Sequence, residues 1–272
     1  MSAAAASAEA AETFDAVIIG TGFSGLLCAN YLLEAGFDNI RLFEMNPSVG
    51  GVWSSSGVGA YPGAACDVQA YTYLPFLDRT GFIPSKKYVS QSEISAYAEM
   101  LTDHIGVRDK IHFSRKVVEL RYLEAQGVWQ VSTVDTASGG PAEVVNCVHV
   151  INANGPLSSP RMPELGGMAL FRGESFHTAQ WDSKAQLAGK RVGVIGTGAS
   201  AAQVLTSIVD EVGSLTVFQR TPTWCLRRDD APTSPEIEAS FRAGGYGEQL
   251  RYVDWKRGIP PQDVPITFEQ LQ

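Results

Sequence analysis

Close cysteine pairs are missing from this chain. Its four cysteines, Cys28, Cys66, Cys147 and Cys225, are scattered through 272 residues. Neither a zinc knuckle nor a disulfide scaffold is written into that spacing, and a reducing compartment, the cytoplasm, fits free thiols. Excess positive charge is missing too: 21 Lys and Arg face 29 Asp and Glu, a net charge of −8. Phosphate backbones and anionic lipid therefore meet no general attraction; nucleic acid and membrane surfaces are not expected partners, and any anion must be held locally. No apolar stretch approaches the roughly 20 residues needed to span a bilayer. The Ala-rich, acidic start lacks the charged head and apolar run of a secretory signal and reads as a flexible tail over residues 1–12. His104, His112 and His149 show no metal-ligand spacing, so no metal is expected. What the chain does have is 44% apolar and 18% charged residues, an ordinary composition for a folded protein of one large or two modest domains.

Ala16-Val17-Ile18-Ile19 is a short, wholly apolar, β-branched run, the pattern of a central parallel strand covered on both faces. Gly20-Thr21-Gly22-Phe23-Ser24-Gly25 follows and opens a helix over Leu26 to Ala35, with Gly36 placed to end it. Ile40 to Glu44 is the next strand, which completes a βαβ unit. The same unit recurs: a strand over Arg191 to Ile195, a turn Gly196-Thr197-Gly198-Ala199-Ser200-Ala201, a helix over Ala202 to Val209, and a strand over Leu215 to Arg220. Gly20 to Glu44 and Gly196 to Arg220 are each 24 residues apart, so the spacing makes Arg220 the counterpart of Glu44.

Between the units, Lys116 to Tyr122, Val128 to Thr133 and Val144 to Ile151 read as a small antiparallel insertion. Ser158-Ser159-Pro160 marks a domain crossing. The expectation is an α/β protein with two Rossmann-like dinucleotide-binding domains: a tail at 1–12, an FAD-binding domain at 13–157, and a partial NADPH-binding domain at 158–272. Beyond Trp224 no further strand of the second unit is read.

A glycine turn after a strand lets backbone N–H groups at a helix N-terminus approach a pyrophosphate with no side chain between them, and an acid about 20 residues on bonds the ribose hydroxyls. Glu44 is that acid. In the second turn Ala201 replaces the third glycine, and the cation Arg220 suits a 2′-phosphate that a carboxylate would repel. Two such units, one with an acid and one with Arg, point to a flavin oxidoreductase fed by NADPH.

Three strings then resemble a known family: Gly50-Gly51-Val52-Trp53, Tyr61-Pro62-Gly63-Ala64-Ala65-Cys66-Asp67-Val68, and Phe171-Arg172-Gly173-Glu174-Ser175-Phe176-His177-Thr178-Ala179-Gln180-Trp181-Asp182. They are similar to the class B flavoprotein monooxygenases, specifically the Baeyer–Villiger monooxygenases, whose Phe-x-Gly-x-x-x-His-x-x-x-Trp fingerprint the last string matches at every fixed position. Val217-Phe218-Gln219-Arg220-Thr221-Pro222 resembles the family's NADPH domain. The flavin-containing N- and S-oxygenases usually carry Tyr where Trp181 stands.

The resemblance implies a glutathione-reductase-like FAD domain and a reaction in which NADPH reduces FAD, a flavin peroxide forms with molecular oxygen, and a ketone becomes an ester or lactone. It makes Asp67 the active-site carboxylate beside the flavin, paired with an arginine. It also assigns Gly51, Val52, Trp53, Val68 and Tyr73 to FAD, Val117 to the adenine, and Thr221 with Arg220 to NADPH. His177, Trp181 and Asp67 are the candidate catalytic residues, His177 with a conformational role at the interdomain linker. Relatives are about twice this long by resemblance, and their later half carries the arginine that partners the aspartate. Three readings stay open: a monooxygenase whose remaining half lies on a second polypeptide or outside this chain, a heteroatom oxygenase, and a truncated FAD/NADP-binding protein. Arg227 and Arg228 are expected to lie in a solvated, mixed-charge loop, not against Asp67.

Overall fold

The computed structural model describes residues 12–55, 59–222, 224 and 228–244. Of the expected tail, residues 1–11 lie outside the described residues, as do Cys225, Arg227 and 245–272.

In chain order the main elements are β1 (Thr13–Ile19), α1 (Phe23–Glu34), β2 (Ile40–Phe43), α2 (Ala70–Tyr73), α3 (Leu77–Thr80), α4 (Gln91–Ile105), β3 (Ile111–His112), β4 (Arg115–Leu123), β5 (Val128–Asp135), β6 (Pro141–Asn152), β7 (Arg191–Ile195), α5 (Ala199–Ile208), β8 (Ser214–Phe218) and α6 (Pro235–Arg242). They fall into two compact units, one of residues 1–64 with 91–223, the other of 65–90 with 224–272.

The first unit holds a six-stranded sheet in the order β3-β2-β1-β6-β5-β4. β1 pairs in parallel with both β2 and β6, while β4, β5 and β6 pair antiparallel. The expected insertion is thus continuous with the parallel sheet: Cys147 of β6 faces Phe14 of β1 on one side and Trp129 of β5 on the other. That double role explains why Cys147 is fully buried.

β1 is covered on both faces, as its unbroken apolar run requires. Val17 joins Phe14, Phe43, Val131, Val145 and Cys147 in one core cluster, while Ile18 meets the α1 side at Gly25. Helix α4 buries Ile94, Tyr97, Ala98 and Leu101, an i, i+3, i+4, i+7 stripe. Strands are added on one side of β1 as β2 and β3 and on the other as β6, β5 and β4, so the switch point lies at the carboxyl ends of the parallel neighbours β1 and β6, where open α/β sheets receive ligands.

The second βαβ segment of this unit forms a two-stranded parallel sheet, β7 with β8. Helix α5 turns Ala201, Val204 and Ile208 inward, yet Ile195, Val217 and Phe218 are exposed at 64%, 40% and 57%. Apolar strand residues left this open mark a sheet with few strands among the described residues. The unit of 65–90 with 224–272 is smaller. Residues 85–88 and 230–233 run antiparallel there, joined by Lys87 N–H to the Ala231 carbonyl (3.0 Å) and Thr233 N–H to the Ser85 carbonyl (2.9 Å). Among the described residues no helix is long and apolar enough to cross a membrane.

Candidate functional site

Gly20 leaves β1 at φ +98°, a left-handed conformation that favours glycine. Its N–H donates to the Phe43 carbonyl at 2.8 Å, and the first intrahelical bond of α1 runs from Leu26 N–H to the Gly22 carbonyl at 3.1 Å. No acid and no capping side chain occupies the helix start, so its positive end is not neutralised by its own first turn. At Gly25 a Cβ would come within 2.0 Å of the Gly20 carbonyl oxygen, so the third glycine is a packing requirement. At Gly22 the situation is opposite: a Cβ would meet only the Gly51 Cα, at 3.8 Å. The space before the helix is therefore open, and a side chain there would fill it. Gly50 N–H bonds the Thr21 carbonyl at 3.0 Å, which lays Gly51, Val52 and Trp53 against this turn. The geometry fits a pyrophosphate reached by backbone donors.

Glu44 is 3% exposed. Its Oε2 accepts from Thr21 N–H (2.9 Å) and from the Thr21 hydroxyl (2.7 Å), and its Oε1 accepts from Asn46 N–H (2.8 Å). A carboxylate offers about four acceptor directions, so the buried charge is satisfied with one direction to spare. A hollow of about 240 Å³ lies close by at the switch point, lined by Ile19, Asn152 and Asn154 with Val117, Glu119 and Leu120 of β4.

The second turn repeats the first. Gly196 has φ +107°, its N–H donates to the Phe218 carbonyl at 2.9 Å, and Ala202 N–H bonds the Gly198 carbonyl at 3.0 Å. A Cβ on Gly198 would meet nothing within 4 Å, and α5 likewise lacks an acid or a side-chain cap at its start. These residues also fit a bound pyrophosphate.

The register corrects the equivalence drawn from spacing. Ile19 pairs with Phe43 and Ile195 with Phe218, so Phe218 matches Phe43 and Gln219 matches Glu44. Arg220 stands one residue further on, because the second unit reaches its second strand with one residue fewer. Gln219, Arg220 and Thr221 are exposed, which leaves a neutral amide and a cation at this rim in place of the buried carboxylate.

Asp67, Val68 and Tyr73 lie in the smaller unit, and there the structure overturns the expectation for Arg228. Its Nη1 donates to Asp67 Oδ1 at 2.9 Å and its Nη2 to the Cys66 carbonyl at 3.3 Å. The guanidinium carbon sits 4.5 Å from the Tyr88 ring centroid. Asp67 and Arg228 are 161 positions apart, so only the antiparallel pairing of 230–233 with 85–88 brings them together. Burial pushes the neighbouring Cys66 thiol up to about 11, which makes it a packed side chain and not a nucleophile.

His177 and Trp181 flank a short 3-10 turn at Thr178–Gln180. The His177 Nδ1 accepts from Ala179 N–H at 3.0 Å, so in the neutral ring the proton is on Nε2. Trp181 packs edge-to-face on Phe176, with centroids 5.1 Å apart. Among the described residues no group of His, Cys, Asp and Glu is arranged to hold a metal ion.

The protein-family description "Flavin-binding monooxygenase-like" matches residues 15–236. Baeyer-Villiger monooxygenase 4 of Dietzia sp. (strain D5) is 35% identical over 243 residues, which cover 86% of this chain and 38% of that protein. Among solved structures, OTEMO in complex with FAD and NADP superposes with a TM-score of 0.79 at 36% identity, covering 88% of this chain and 45% of that one. Cyclohexanone monooxygenase from Rhodococcus sp. Phi1 bound to NADP+ gives 0.79 at 34% identity, covering 89% and 44%. The chain spans about two fifths of the length of the curated relatives it matches.

Proposed function

Because the chain belongs to the flavin-binding monooxygenase-like family, we propose that it is the dinucleotide-binding part of an FAD- and NADPH-dependent monooxygenase. The reaction inserts one oxygen atom from molecular oxygen beside a ketone carbonyl and yields an ester or lactone. The observation that carries this reading is the pair of matching glycine turns, one closed by a buried carboxylate and the other by a Gln-Arg rim.

FAD, when bound, supplies the redox and oxygen chemistry; the chain supplies binding and orientation. Gly20, Gly22, Phe23, Ser24 and Gly25 receive the FAD pyrophosphate on the α1 end, with Gly51, Val52 and Trp53 on the facing loop. Glu44 directs its remaining acceptor direction to a ribose hydroxyl, and Val117 lines the hollow that suits the adenine. In the second turn Gly196, Thr197, Gly198, Ala199, Ser200 and Ala201 receive the NADPH pyrophosphate, while Arg220 and Thr221 meet the 2′-phosphate. Asp67, Val68 and Tyr73 serve the flavin ring, His177 acts in the conformational change of the linker, and Trp181 is the further candidate catalytic residue of the same fingerprint.

The cytoplasm is the compartment we propose, since the described Cys28, Cys66 and Cys147 are all free thiols. A ketone is the proposed substrate class. The rest of its pocket belongs to the part of the relatives that this chain does not span, whether in the same polypeptide or a second one.

Purifying the chain, recording its flavin spectrum and following NADPH oxidation with and without cyclohexanone tests the reading. FAD uptake with ester formation supports the full reaction. FAD uptake without turnover confines this chain to nucleotide binding, and a colourless protein that takes up no added FAD overturns the proposal.

A further inference from the structure

Thr21, between the first two glycines of the turn after β1, is fully buried and directs both of its donors to one atom. Its N–H and its hydroxyl reach Glu44 Oε2 at 2.9 and 2.7 Å. A carboxylate oxygen has about two acceptor directions, so Oε2 is filled. Asn46 N–H takes one direction of Oε1 at 2.8 Å, and the direction left over therefore belongs to Oε1. The main chain of Glu44 is fixed as well, with its N–H on the His112 carbonyl at 3.0 Å and its own carbonyl accepting from Arg115 N–H at 2.8 Å. What remains to be set is the rotation of the side chain. A hydroxyl donating to a buried carboxylate makes a short, charge-assisted bond strong enough to set it.

We infer that Thr21 is the positioning residue of Glu44: its hydroxyl holds the carboxylate so that Oε1, and not Oε2, receives a ribose hydroxyl, and one hydroxyl of the two is read. The inference rests on the reading of Glu44 as the acid that meets the FAD ribose. Thr21, Glu44 and Asn46 all belong to the larger compact unit, so the arrangement is complete within it. The Thr21 backbone has a separate duty, because its carbonyl accepts from Gly50 N–H at 3.0 Å. Thr21→Val keeps that bond and the N–H bond to Glu44 and puts a methyl in place of the hydroxyl; Thr21→Ser keeps a hydroxyl donor.

The test uses the whole chain loaded with FAD and follows, by flavin fluorescence, displacement of the flavin by ADP and its 2′-deoxy, 3′-deoxy and 2′,3′-dideoxy analogues. In the wild type the dideoxy analogue is expected to bind about tenfold more weakly than ADP, the loss of one charge-assisted bond. One monodeoxy analogue should match ADP and the other the dideoxy compound. Thr21→Val lowers ADP affinity by about tenfold and leaves the dideoxy analogue within about twofold, while Thr21→Ser keeps the wild-type order. A merely structural role weakens all four compounds alike. Equal weakening of ADP and the dideoxy analogue in Thr21→Val, no weakening of ADP, or matching affinities for the two monodeoxy analogues in the wild type overturns the inference. If Thr21→Val does not fold, Thr21→Ala removes the same hydroxyl without adding a buried methyl and is read by the same criteria. A wild-type chain that takes up no FAD overturns the proposed function, whereas a flavin-loaded chain without this discrimination overturns the inference alone.

Discussion

Gly25 and Gly22 stand three residues apart in one turn and carry opposite expectations on replacement by alanine. In Gly25→Ala the new methyl would sit 2.0 Å from the Gly20 carbonyl oxygen and 3.0 Å from its carbon, where ordinary contacts begin near 3.4 Å. Gly20 cannot move aside freely: its own Cα side already faces the Ala153 carbonyl, 2.7 Å from where a Cβ would be. Better helix propensity returns at most about 1 kcal/mol. Overpacking against backbone costs about 1–3 kcal/mol or more, so the net is a loss, read as a melting temperature lower by roughly 2–4 °C per kcal/mol. Gly22→Ala meets no such wall, since its φ of −66° suits any residue and its nearest neighbour is 3.8 Å away. Its stability cost as an N-cap change stays within about 1 kcal/mol, while its methyl occupies the space before the helix and weakens FAD binding by about tenfold or more, ~1.4 kcal/mol. Thermal unfolding by circular dichroism and flavin fluorescence titration on both variants read the two effects separately. A Gly25→Ala protein that melts with the wild type, or a Gly22→Ala protein that binds FAD as tightly, would refute the reasoning.

Arg220→Ala is expected to weaken NADPH by about 1–3 kcal/mol, the loss of a charge-assisted contact, and NADH far less; equal losses in a titration of both nucleotides refute the assignment. Gln219→Glu, which restores a carboxylate where the register matches Glu44, should shift preference toward NADH in the same titration. Burial raises the Cys66 and Cys147 thiols to about 11, so mass spectrometry after brief iodoacetamide treatment at pH 8 should find Cys28 modified before either. Stability from those two thiols is fully present below about pH 9 and is lost as pH rises toward 11, an alkaline loss that Cys66→Ala should reduce in pH-dependent melting curves. For Asp230, burial alone would raise the carboxyl, but the bonds from Lys86 and from Tyr88 N–H outweigh it and hold it below the usual range. Its contribution is present above the ordinary carboxylate value of about 4 and fades as pH falls through the lower folded value, so the protection factor of the Tyr88 amide, its exchange rate relative to the intrinsic rate at each pH, should fall in that acid window and stay constant there in Asp230→Asn.

The sequence by itself determined both glycine turns, the strands and helices beside them, and Glu44 as the acid of the first, because these depend on a few neighbouring residues whose backbone freedom and hydropathy are visible in order. It also displayed the apolar stripe at Ile94, Tyr97, Ala98 and Leu101 that makes α4, although that stripe carries no chemistry to draw notice. Only the tertiary structure decided three things. Equal spacing hid the one-residue difference between the two turns, since register is set by interstrand hydrogen bonds and not by count. The expected insertion proved continuous with the parallel sheet, because β6 pairs on both edges. The meeting of Arg228 with Asp67 depends on chain pairing between segments some 160 residues apart, and a contact of that separation leaves no periodic trace along the chain.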